Sequence, residues 1–162
     1  MGFKKPSKIK GNAAKTEALY QRAVKDCQRI ILHYYKENKG TESSLSGYSA
    51  HSKLGQYGGI NINGKGDQGH ETFILREHFS QNEGFNFCKT SQKPYDVVVT
   101  ACLSVLSYHL GDLIEVSSDG LGHDWFDGLN LAEKVLKRKI INKIMKSNVE
   151  HPIKLGQNLK AV

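Results

Sequence analysis

PYDVVVTACLSVLSYHLG, residues 94–111, decides how the rest of the chain is arranged. Pro94 suits the start of a helix, where its missing N–H is one of the orphan donors anyway, and Gly111 supplies the stop. Between them apolar residues fall on nearly every face of a 3.6-residue helix, so the spacing predicts a helix to about Leu110, buried at the centre of the domain. The uncharged run Val97–Gly111 is short of the about 20 residues that a membrane span needs, and it contains Thr100, Ser104 and Ser107. The expectation is a soluble protein with no membrane partner.

Upstream, Gly84–Thr90 reads as a strand, with Phe85 and Phe87 alternating. Ile60–Asn63 and His70–Glu77 read as two further strands joined across GKGDQG as a hairpin with a longer loop. Thr41–Gly59 is rich in Ser, Gly and Tyr and reads as a loop. From Asn12 to Asn38, Tyr20, Val24, Cys27, Ile31 and Tyr34 recur at steps of four, three, four and three, one apolar stripe of a helix stopped by Gly40. Downstream, Asp112–Ser117 reads as a fourth strand, and a last helix runs from about Leu129 to Ser147 with Asp127 at its N-cap. Residues 1–11, with four lysines, Pro6 and Gly11, read as a flexible basic arm. Residues 12–150 are expected to form one domain and residues 151–162 a polar tail that Pro152 introduces.

Strand and helix do not alternate regularly. The fold class expected is therefore α+β: a largely antiparallel sheet of about four strands packed on a buried central helix, with basic N- and C-terminal helices. A chain of 162 residues, 38% hydrophobic and 24% charged, is globular, and one core can bury roughly two-thirds of its unfolded surface.

Three cysteines, Cys27, Cys88 and Cys102, are an odd number without a CxxC pair, which favours a reducing, cytoplasmic setting. Cys27 and Cys102 fall in apolar helical patterns and read as core residues. Cys88 precedes Lys89, a neighbour that would lower its pKa. The opening MGFKKPSKIKG has no apolar core for a secretory signal, and Pro6 stands where a myristoylation signal wants Ser or Thr.

Charge is distributed unevenly. Counting Lys and Arg against Asp and Glu gives +7 for residues 1–39, −6 for 40–131 and +6 for 132–162. Basic flanks around an acidic middle imply an anionic partner for the flanks. On the first helix Arg22, Lys25, Arg29, His33 and Lys36 line up beside the apolar stripe at steps of three, four, four and three. Cations held in line are costly unless water, salt or phosphates screen them. A solvated helix face explains such a stripe equally well on charge alone. The companion basic segments, with Lys137 and Arg138 on the last helix, tip the reading towards nucleic acid bound mainly through its phosphates. Four phosphate contacts from Arg22, Lys25, Arg29 and Lys36 imply a log–log salt slope of about −4 on duplex DNA. In the hairpin loop, Lys65 and its flanking backbone amides form a weak phosphate cradle, one that matches no P-loop because no helix follows.

Two other classes compete. Asp119, His123, Asp124 and Asp127 crowd one loop, and with His70, Glu71 or His109 they offer carboxylates and imidazoles for a divalent metal or a general base in an enzyme acting on phosphodiesters or nucleotides. Their ordinary explanation is turn and cap chemistry with Trp125 and Phe126 as anchors. His70 and His78 would lie about 26 Å apart on one strand, too far to share an ion. Under the binding reading no cofactor is expected. In the third class the basic helices dock on an acidic protein partner or on the acidic middle of another copy, giving a homo-oligomer.

Overall fold

The computed structural model describes residues 1–6, 12–47, 59–118 and 122–141. Helix α1 spans Ala13–Asn38. Asn12 caps it, its Oδ1 accepting from the N–H groups of Ala14 (2.8 Å) and Lys15 (3.2 Å), two of the donors a helix start leaves orphaned. The stripe Tyr20, Val24, Cys27, Ile31 and Tyr34 is buried throughout, as its period requires. Helix α2 spans Asp96–Leu110, with eleven of its fifteen residues buried. Gly111 ends it at φ +52°, returning its N–H to Ser107, a conformation glycine adopts without strain. The stretch 96–113 has the length and apolarity of a membrane span, and most of it is buried inside the protein.

Helix α3 spans Phe126–Leu136, shorter than its apolar pattern suggests. It starts three residues before Leu129, and Asp127 lies inside its first turn, where a carboxylate faces the positive helix end, instead of capping it. Lys137 at φ +55° breaks the helix. Glu133 then ties down the chain beyond: its carboxylate accepts from Ile140 N–H (2.9 Å) and Lys139 Nζ (2.8 Å). Those bonds hold its carboxyl below the ordinary range. Residues 142–147, also expected to be helical, lie outside the described residues, as do 7–11 of the expected arm and the tail 151–162.

The strands are β1 (Gly2–Lys4), β2 (Leu45–Ser46), β3 (Ile60–Gly64), β4 (Phe73–Leu75), β5 (Phe85–Phe87) and β6 (Glu115–Ser117). They form two antiparallel sheets, ordered β5-β1-β6 and β2-β3-β4. The four expected strands are thus divided between two sheets, each completed by a short strand that local sequence does not announce. One of these corrects the arm: residues 2–4 are the middle strand of the first sheet, Phe3 standing opposite Asn86 on one side and Val116 on the other. The other, β2, lies within the stretch expected to be loop. The buried apolar side chains form one cluster drawing on all three helices and both sheets.

Helices α2 and α3 touch backbone to side chain at Gly128. A Cβ built there would lie 2.1 Å from Thr100 Oγ1 and 2.6 Å from the backbone nitrogen of Ala101. Glycine to alanine inside a helix ordinarily gains about 1 kcal/mol. Here overpacking outweighs that gain, and Gly128→Ala is expected to destabilise by about 1–3 kcal/mol. Urea denaturation measures it, and a higher midpoint would contradict the close crossing.

Candidate functional site

Helix α1 presents its stripe of cations to water. Arg22, Lys25 and Lys36 are exposed and make no ion pair with any described residue. Arg29 is also exposed, with Nη1 3.5 Å from Asp26 Oδ1. His33 is half-buried, its Nε2 3.2 Å from Glu37 Oε1. Lys15, exposed and one heptad before Arg22, extends the line; the same spacing rule that found the others would have found it. From Lys15 to Lys36 the ridge runs about 32 Å at 1.5 Å rise per residue.

The cations beyond α1 are placed differently. Arg138 lies beside α1, hydrogen-bonded through Nη2 to Asp26 Oδ2, with its guanidinium 5.3 Å from the Tyr108 ring centroid. His109 Nε2 is 2.8 Å from the same Asp26 oxygen. The tautomer protonated at Nε2 donates to that oxygen. Asp26 is 8% exposed, so one nearly buried carboxylate holds an imidazole and a guanidinium, with a second guanidinium at its edge. Lys134 pairs with Glu37 at 3.2 Å and Lys139 with Glu133. These contacts bring the end of α3 against α1, and they offset within the molecule much of the charge expected on the last helix. Lys137 remains exposed and unpaired among the described residues.

Lys65 is exposed on the hairpin turn, and several of the amides around it are engaged. Lys65 N–H donates to Ser44 O, Gln68 N–H to Lys65 O, Gly69 N–H to Gly66 O and Gly64 N–H to Asn63 Oδ1. These bonds brace the turn.

Among the described residues, those of the metal-dependent reading form no metal-binding group. His70 is exposed, its backbone bracketed by Asn63. Glu71 Oε2 accepts from Lys89 N–H at 2.6 Å, and its carbonyl accepts from Tyr95 Oη at 2.6 Å. His123 Nε2 lies 3.2 Å from Asp124 Oδ1, near the start of α2. His109 sits at the other end of α2, about 20 Å along the axis from Asp96. Asp119 lies outside the described residues. Among the described residues no group of three or more His, Cys, Asp or Glu side chains is arranged to hold a metal ion.

Burial governs the groups around the start of α2. It pushes the Cys88 thiol up to about 11, the reverse of what a neighbouring lysine would do, and its Sγ–H donates to Glu71 O. It also raises Tyr95 and Asp96, the latter helped by the charge of Asp124. A thiol held protonated is a packing group, not a nucleophile.

A feature that sequence reading missed stands on β5. Phe85 and Phe87 are 52% and 62% exposed, their rings nearly parallel (12°) with centroids 6.2 Å apart. No family model matches the chain, nor does any characterised protein or solved structure.

Proposed function

We propose that the protein binds nucleic acid through the phosphate backbone, along the outward face of α1. The observation that carries this reading is the ridge Lys15, Arg22, Lys25, Arg29 and Lys36. It is exposed along its length, and among the described residues only Arg29 leans on an internal carboxylate. Cations held in line without partners repel one another, and a polyanion relieves that repulsion while releasing its own condensed counterions. Lys137, exposed at the end of α3 between Lys134 and Arg138, which pair with carboxylates of α1, is a further candidate contact. Arg138 itself serves the fold by satisfying Asp26. Because the contacts are to phosphates, discrimination between sequences is weak.

The metal-dependent and assembly readings rest on no comparable arrangement among the described residues. The test is the salt dependence of binding. Substituting Arg22, Lys25 and Lys36 together by alanine is expected to flatten the log–log salt slope on duplex DNA by about 3 units, at 0.9 per phosphate. Unrelated sequences should weaken equally. A slope and affinity identical to those of the unsubstituted protein would remove the ridge from the interface.

A further inference from the structure

We infer that Phe85 and Phe87 form a stacking platform for unpaired bases, so that the ligand is single-stranded nucleic acid. The inference rests on the nucleic-acid reading above and narrows it to a substrate class. Burial alternates along this strand and just beyond it: Phe85, Phe87 and Lys89 are exposed, while Asn86 is half-buried and Cys88 and Thr90 are buried. The register sets Lys4 opposite Phe85 and Gly2 opposite Phe87 on the neighbouring strand. Gly2 has no side chain to cover the Phe87 ring, and none fits, since a Cβ there would lie 2.4 Å from Asn86 O. Two flat rings therefore stand on the outer face of the sheet. Lys89 lies beyond one end of the pair and Lys4, paired with Glu115 at 3.1 Å, beside the other.

Size and chemistry select the occupant. Taking ~200 Å² for a whole phenylalanine, the two rings leave on the order of 200 Å² exposed, against about 800 Å² per partner in a stable protein–protein interface. Around them the outer face is polar: Lys4, Glu115 and Ser117 complete the two cross-strand rows. A second copy would find too little apolar area here. A nucleobase needs only one ring face, and every base has one, so stacking is tolerant of sequence as the phosphate contacts are. Bases inside a duplex are already stacked and cannot use the platform.

The test compares a fluorescent oligothymidylate with a duplex of equal length on the full chain. Phe85→Ala/Phe87→Ala is expected to weaken the single strand on the order of 30-fold, the lower range for two base stacks. The salt slope should stay the same, because stacking releases no counterions, and duplex affinity should not change. Phe85→Tyr/Phe87→Tyr should retain single-strand binding. Both positions are exposed, so the variants should fold, as their circular dichroism would show. Unchanged single-strand binding in the alanine variant overturns the platform. So does sedimentation showing a dimer that the alanine variant dissociates, since a second copy would then cover the rings. The ridge variant separates the two readings: if it leaves both ligands unaffected the backbone reading falls, whereas inert ring variants sink the platform alone.

Discussion

Phe3→Ala is expected to lower the stability of the fold by about 3–5 kcal/mol, the cost of removing a fully buried phenylalanine. Phe3 is 1% exposed and belongs to the core cluster. Its strand is the middle one of three, so the substitution undermines the sheet from its centre. A residue in a flexible arm would tolerate alanine within about 0.5 kcal/mol. The two descriptions of this segment therefore differ several-fold, and a urea melt followed by circular dichroism separates them. Among the described residues strand β5 pairs only with β1, so the same substitution is expected to disorder the Phe85–Phe87 platform and weaken single-strand binding even where the protein stays folded. A loss below about 1 kcal/mol, with oligothymidylate binding intact, would take β1 out of the sheet.

Why the segment reads as an arm is a matter of range. Phe3 is a lone apolar residue before two lysines, with no flanking alternation like that around Phe85 and Phe87, and it finds its partners 83 and 113 residues away, at Asn86 and Val116. Nothing local signals either pairing, and β2, two residues long, is hidden for the same reason. The helices are the opposite case. Helix α1 repeats its apolar stripe from Tyr20 to Tyr34 and caps itself with Asn12, and α2 is apolar on almost every face, so both are legible from their own residues. Helix α3 is overestimated because Ile140 continues its apolar pattern past Leu136, whereas Lys137 in the left-handed region and the Glu133 carboxylate bend the chain away. The candidate site divides along the same line. Cation spacing on α1 is local information, and the ridge follows from it. That Arg138 is held by Asp26, 112 residues earlier, is long-range information. Alternation shows that Phe85 and Phe87 share a face, but only the sheet shows that this face is the outer one.

Asp26→Asn is expected to move stability and binding in opposite directions. The substitution keeps the shape of the side chain and removes its charge, leaving His109 and Arg138 with a neutral acceptor and Arg29 with none. Hydrogen bonds to a charged group contribute about 1.5–3 kcal/mol each. Arg138 and Arg29 keep partial contact with water, their side chains 37% and 58% exposed, which discounts the pair contribution. A net loss of about 2–3 kcal/mol follows, most of it from weakening the bond of nearly buried His109 and loosening the segment after α3. The same change releases two guanidiniums beside the ridge from an internal anion. If the ridge meets phosphates, one of them through Arg29, the released Arg138 adds about 0.9 to the magnitude of the salt slope on duplex DNA, and affinity at low salt rises although the fold is weaker. A protein tuned only for stability would show the loss alone. Thermal melts and a salt titration on one preparation measure both quantities. A destabilised variant whose slope is unchanged would mean that Arg138 lies outside the interface, leaving phosphate contact to Lys15, Arg22, Lys25, Arg29, Lys36 and Lys137.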